Sequence, residues 1–162
     1  MALLTANEIF EIATRLEQSG ESFYGEAAQG TTRASVKALF QELATQEQHH
    51  RRAFEQMSGS AVSDILSSEQ WDEFQAYADA LLQQRFLADP ENALRVAAEA
   101  KSELDVLRAA LGFEQETIAF YEQLHGIVRD AEQQAIQRII DEEKRHIQRL
   151  LAMQAAQELR RE

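Results

Sequence analysis

Two tetrads in this chain, Glu47-Gln48-His49-His50 and Glu143-Lys144-Arg145-His146, set a carboxylate three residues ahead of an imidazole. Residues i and i+3 of a helix share a face and lie about 4.5 Å apart along its axis. A glutamate and a histidine so placed can hold one divalent cation or bridge to a second. Oxygen and imidazole ligands suit iron or manganese, and zinc competes for the same site by affinity. One Glu-x-x-His alone is a weak signal, because glutamate is abundant on solvated faces. Here two occur, and each belongs to a longer pattern.

That pattern is an internal repeat. Glu17, Phe23 and Tyr24 recur as Glu114, Phe120 and Tyr121, displaced by 97 positions. Phe40, Leu43, Glu47, His50, Phe54 and Met57 recur as Ile136, Ile139, Glu143, His146, Leu150 and Met153, displaced by 96. The second series steps by alternating threes and fours, which is the spacing of a helical core seam. Both Glu-x-x-His pairs thus sit inside an apolar seam, and a pseudo-twofold bundle made of one duplicated helical hairpin is expected. Glu17, Glu47, His50, Glu114, Glu143 and His146 would meet near its centre. One Glu from each of two helices with Glu-x-x-His from each of the others is the ligand set of di-iron carboxylate bundles.

Electrostatics favours a metal there. An unpartnered buried carboxylate costs several kcal/mol, and a domain's whole margin is only ~5–15 kcal/mol. Two divalent cations cancel four carboxylates with both histidines neutral. Oxidation of both ions adds two charges, which one dianionic ligand offsets, so a redox pair can cycle there without a large change in net charge.

The elements that position these residues follow from caps and periodicity. Thr5 with Glu8 forms a capping box for a first helix running to about Gln29 and ended by Gly30. Thr31 or Thr32 is expected to cap a second, running to Ser58 before Gly59. Ser58 to Asp64 reads as a loop. Ser67 or Ser68 opens a shorter helix to about Leu87, with Trp71, Phe74, Ala78, Leu81 and Leu82 on one face. Asp89-Pro90 is an N-cap followed by proline at the first helical position. Ser102 with Asp105 marks another cap before a long helix to about Ile127. The last helix starts near Asp130. The spacing predicts one domain over residues 1–162, with hairpins at about 5–58 and 102–160 and a partly helical crossover at about 59–101. A connection that long allows the second and third long helices to run parallel.

Composition agrees with an all-α fold: one proline, six glycines and few β-branched runs among good helix formers. The net charge of −12 argues against nucleic acid or an anionic membrane as partner. The absence of cysteine excludes disulfides, thiolate zinc sites and iron–sulfur centres. No apolar run approaches the ~20 residues of a membrane span, and no signal peptide is legible. The expectation is a soluble cytoplasmic protein.

Other residues have plainer readings. Tyr24 and Tyr121 follow Glu17 and Glu114 by seven positions, on the same face. Each is either a core tyrosine with a hydrogen-bond partner or a group that bonds a ligand carboxylate or carries an electron. Phe23 and Phe120 read as core. Glu21, whose repeat mate is Ile118, reads as exposed, His49 as solvated, Arg51-Arg52 as a solvated face, and His125 as a helix C-terminal imidazole. The Trp71 stripe reads as crossover packing or a subunit contact.

At Glu17 with Phe23-Tyr24, Glu47-Gln48-His49-His50, Glu114 with Phe120-Tyr121, and Glu143-Lys144-Arg145-His146, the chain resembles the rubrerythrin-like branch of the ferritin-like superfamily. The resemblance covers the four long helices and not obviously the stretch from Ser58 to Lys101. It implies a ferritin-like four-helix bundle with a di-iron centre that reacts with peroxide or dioxygen. It implies that Glu47 and Glu143 bridge the ions and that Glu17, Glu114, His50 and His146 are terminal. The chain departs from rubrerythrins proper in having no cysteine-ligated iron domain, and in having Thr117 and Ile118 where they carry a further glutamate. It departs from bacterioferritins in having Gln48 where they carry a haem-binding methionine, so no haem is expected.

The resulting expectation is a protein that binds two iron ions and oxidises ferrous iron with peroxide or dioxygen. Its external electron donor is not legible, and a homodimer through the Trp71 region is plausible. Three alternatives stand beside it: a di-iron hydroxylase of an organic substrate, a non-catalytic module that senses or delivers iron, and a bundle carrying zinc structurally.

Overall fold

The computed structural model describes residues 4–57, 61–63, 66–83 and 89–161. Among these it has six helices: α1 (Ala6–Gly30), α2 (Ala34–Glu55), α3 (Ser68–Leu82), α4 (Pro90–Glu99), α5 (Glu103–His125) and α6 (Asp130–Leu159). The four long ones form a ferritin-like bundle. α1 packs on α2 and α5 on α6, while α1 meets α5 and α2 meets α6 across the bundle.

Most expected caps form. The Thr5 hydroxyl accepts from the Glu8 amide, and the Glu8 carboxylate accepts from the Thr5 amide at 2.6 Å. Ser67 makes the same reciprocal box with Gln70. Asp89 accepts from the Glu91 amide and Ser102 from the Asp105 amide, both at 3.1 Å. The start of α2 differs from expectation. Its N-cap is Arg33, with no side-chain cap. Thr31 is buried and donates its hydroxyl to Glu103, so a tertiary bond claims the oxygen that would have capped locally. α2 ends at Glu55, short of the expected Ser58, and α3 ends at Leu82, short of Leu87. Ser58, Gly59, Asp64 and Leu87 themselves lie outside the described residues.

The crossover carries the chain from the end of α2 back to the start of α5, and its contacts fix the topology. Just beyond α2, Val62 bridges antiparallel to Val128, just beyond α5. Ser63 donates its amide to Ile127, and Arg129 donates its amide to Ala61, both at 2.8 Å. At the opposite end, Thr31 and Arg33 before α2 meet Glu103 at the start of α5. α2 and α5 therefore begin together and end together, which makes them parallel. On the way back α3 lies on α5, with Phe74 6.0 Å and Tyr77 6.3 Å from the Phe120 ring. Trp71 stacks on Phe74 at 6.4 Å and is partly buried against the core. α4 buries Ala93 and Ala97 against α1.

The apolar core falls into two layers. One holds Ile9 to Leu16, Phe54, Phe113 to Leu124 and Ile136 to Ile140; the other holds Phe23 to Ala28, Val36 to Leu43, Leu107, Ala110 and Leu150. Along α1, α2 and α6 the boundary between the layers falls at Glu17, at Glu47 and His50, and at Glu143 and His146; along α5 it falls just before Glu114, between Ala110 and Phe113. No described helix is long and apolar enough to cross a membrane.

Candidate metal centre

All six residues are buried, none more than 3% exposed. Helix period alone turns them inward, because each replaces one knob of an apolar seam. Glu17, Glu47, His50 and Glu143 each present a ligand atom within 4.8 Å of the others'. Glu47, Glu114, Glu143 and His146 do the same. The two groups share Glu47 and Glu143. Nδ1 of His50 lies 2.9 Å from Glu143 and 3.5 Å from Glu17. Nδ1 of His146 lies 2.7 Å from Glu143 and 3.3 Å from both Glu47 and Glu114. The two rings stack with centroids 5.8 Å apart.

Both tyrosines are buried and bond carboxylates of the cluster. The Tyr24 hydroxyl donates to Oε1 of Glu114, and the Tyr121 hydroxyl donates to Oε1 of Glu17. Each tyrosine serves the glutamate of the opposite hairpin, an exchange that follows the pseudo-twofold. Burial raises both hydroxyls well above their usual pKa, reinforced by Glu114 at Tyr24 and by Glu17 at Tyr121. They stay protonated and act as donors.

Several buried oxygens are left over. Oε2 of Glu17, Oε2 of Glu114 and both oxygens of Glu47 have no hydrogen-bond partner. A buried carboxylate oxygen without a partner is costly. Four of them converging with two imidazoles fit divalent cations, and the donor set of carboxylate oxygen and imidazole nitrogen suits iron or manganese.

Without a metal the cluster balances itself with protons. Burial, then the charges of Glu143, Glu17 and Glu114, pushes Glu47 well above the carboxylate range. Burial and Glu143 raise Glu114 to about 8, against an opposing pull from His146. Glu143 does not share the upward shift expected of clustered carboxylates. Burial pushes it up, but the bonds from His146 and His50 outweigh that and hold it below the usual range. Burial lowers both histidines, yet Glu143 and Glu17 lift His50 to about 12, while Glu114 and Glu143 lift His146 to about 10. Protonated imidazoles thus stand in the cluster where cations would.

Sequence reasoning passed over three features of the site. Nε2 of His50 lies 2.6 Å from Oε2 of Glu142, and Nε2 of His146 lies 2.5 Å from Oε1 of Gln46. Gln46 and Glu142 are themselves repeat mates, one residue ahead of Glu47 and Glu143, which is the signal that would have found them. Gly20 is the third. A Cβ there would lie 3.0 Å from Cδ of Glu47 and 3.1 Å from the Phe113 ring, so the absent side chain makes room for that carboxylate. The surface readings are partly corrected. Arg51 is only half exposed and pairs with Glu21 and Glu55 at 3.1 Å, and Glu21 also accepts from Gln48 at 3.2 Å. The two bonds to Glu21 tie α1 to α2, which draws Glu21 and Arg51 in from solvent. His49 is exposed, as expected, and lines a pocket of about 340 Å³ with Gln46, Glu142, Arg145, His146 and Arg149.

A long-helix bundle with a parallel crossover and a buried Glu/His cluster of this make-up defines a ferritin-like protein of the di-iron carboxylate type. The family model described as Rubrerythrin matches residues 8–154, crossover included, and the chain belongs to the rubrerythrin family. A crystal structure from Thermotoga maritima, described as a ferritin-like diiron-carboxylate protein, is similar at a TM-score of 0.67. It is 26% identical and covers 96% of this chain and 97% of its own. No curated protein sequence matches the chain.

Proposed function

We propose that the cluster holds two iron ions and that the protein oxidises ferrous iron with peroxide or dioxygen. The observation that carries this reading is the overlap of two four-residue ligand groups through Glu47 and Glu143. A structural zinc site needs one closed set of four ligands; this arrangement offers two adjoining sets. Glu47 and Glu143 would bridge, Glu17 and His50 would complete one position, and Glu114 and His146 the other. When bound, a pair of redox-active ions supplies the two electrons that peroxide reduction requires.

The chain's own groups then have defined tasks. Tyr24 and Tyr121 each hold one oxygen of Glu114 and Glu17, leaving Oε2 of each to face a metal. The two apolar layers exclude bulk water from both ends of the cluster. The pocket lined by His146, Gln46, His49, Glu142, Arg145 and Arg149 is polar, which suits a small polar oxidant or a hydrated ion better than an apolar substrate awaiting hydroxylation.

The test is anaerobic loading with ferrous iron, then peroxide or dioxygen, followed optically with ferrous iron in excess. The expected result is repeated oxidation well above the protein-free rate. Two ions bound but not oxidised faster than the control would favour an iron-binding or iron-delivering module.

A further inference from the structure

The repeat makes the two halves of the cluster equivalent in every ligand, and they differ in what stands behind the histidines. His50 projects from α2, and its outer nitrogen, Nε2, meets the Glu142 carboxylate on α6 at 2.6 Å. His146 projects from α6, and its Nε2 meets the Gln46 side-chain oxygen on α2 at 2.5 Å. The same repeat position is thus a carboxylate behind one imidazole and an amide behind the other.

That difference has two chemical consequences. An ionised carboxylate only accepts hydrogen bonds, so Glu142 requires the proton of a neutral His50 to sit on Nε2 and leaves Nδ1 free toward the carboxylates. An amide offers an acceptor and a donor on one hinge, so Gln46 accommodates either tautomer of His146. A charge-assisted bond is also about twice as strong as a neutral one, and a carboxylate behind an imidazole raises its basicity as a ligand. The polar surface pocket is lined by His146 itself, whereas on the His50 side it is Glu142 that lines it.

We propose that Glu142 is a positioning residue that makes the two metal positions unequal. The ion beside His50 and Glu17 is bound first and held tightly. The ion beside His146 and Glu114 is bound second and exchanges through the pocket between α2 and α6. This rests on the dinuclear reading above and adds an order of filling to it.

Cobalt(II) is a suitable probe, being divalent, paramagnetic and stable in air. The tyrosines supply position-specific reporters, because Tyr121 bonds Glu17 on the His50 side and Tyr24 bonds Glu114 on the His146 side. The chain has three tyrosines, so fluorotyrosine labelling gives three fluorine resonances, assigned by single Tyr→Phe variants. Cobalt titrated into the metal-free protein should shift the Tyr121 resonance more than the Tyr24 resonance with the first equivalent, and the Tyr24 resonance more with the second. Calorimetry should resolve two steps, and Glu142→Gln should weaken the tighter one ~10–100-fold, the usual cost of losing such a partner. The exchange variant Q46E/E142Q keeps composition and charge. It should retain two steps but shift the Tyr24 resonance the more with the first equivalent.

Shifts of both resonances that grow in constant proportion through the two equivalents in the unsubstituted protein would overturn the proposal. So would an unchanged order in the exchange variant, and so would unaltered steps in Glu142→Gln. Glu142 is half exposed, and circular dichroism on each variant checks that the fold is kept. Two cobalt ions bound without order sinks only the inequality, whereas no cobalt bound at all sinks the dinuclear reading together with it.

Discussion

Gly20 shows how closely the site is built at the level of single residues. It sits one helical turn after Glu17, and a Cβ on it would lie only 3.0 Å from Cδ of Glu47. Gly20→Ala has two opposed effects. Alanine gains about 1 kcal/mol of helix propensity over glycine, while overpacking costs typically 1–3 kcal/mol. The expected outcome is a small change in the melting midpoint of the metal-free protein, with a clear loss of metal affinity as Glu47 is pushed aside. Melting and metal titration of the same variant check it; unchanged affinity would mean that Glu47 has room to spare. The inward residues were legible in sequence because each sits on a seam with a period. Gln46 and Glu142 were not, because a glutamine and a glutamate off the seam look like any solvated pair, and their partners lie on another helix. The charge of the histidines was not legible either. Only proximity to Glu143, Glu17 and Glu114 decides it.

At the scale of the elements, the duplicated hairpin turns a sequence repeat into a functional expectation. Glu47 and Glu143 belong to both ligand groups, whereas Glu17 and Glu114 belong to one each. Glu47→Ala and Glu143→Ala should therefore each deplete both metal positions and behave alike. Glu17→Ala and Glu114→Ala should each spare one. Metal counts on the purified variants check this, and two ions retained by either Glu47→Ala or Glu143→Ala would remove that residue from the shared position. Element identity was readable from Thr5, Ser67, Asp89-Pro90 and Ser102, since local capping chemistry marks a helix start wherever no tertiary bond competes. It failed at Thr31 because Glu103, 72 residues away, takes the hydroxyl. The parallel course of α2 and α5 was permitted by the length of the crossover but decided by the Val62–Val128 bridge, a long-range pairing with no local signature.

For the whole molecule, the cluster links stability, pH and metal. In the metal-free protein, Glu114, Glu47, His50 and His146 all bind protons more tightly folded than unfolded. Groups raised in this way stabilise the fold fully below their unfolded pKa values, and that stabilisation is lost as pH rises through the folded ones. Metal-free stability should therefore decline from about pH 4.5, through about 8 for Glu114, and on toward about 10 and 12 as the two histidines deprotonate. Glu143 has the opposite sign, but its loss is confined to strongly acidic solution, where the pH falls through its depressed value. Bound divalent ions reverse the trend, because they favour ionised carboxylates and neutral imidazoles, so the loaded protein should lose stability as pH falls and protons displace metal. At 100 times Kd each independent ion adds ~2.7 kcal/mol. Denaturant titrations of both forms at several pH values should give curves that diverge as pH rises; parallel curves would mean that the glutamates are solvated.

The central claim is that six buried side chains hold a pair of metal ions, and counting the ions tests it most directly. Anaerobic equilibrium dialysis of the metal-free protein against ferrous iron, at neutral pH and moderate salt, gives the bound metal per chain. Two ions per chain, falling toward none in Glu47→Ala, is the predicted result. Fewer than two at saturation, or two that survive the loss of Glu47, would contradict it.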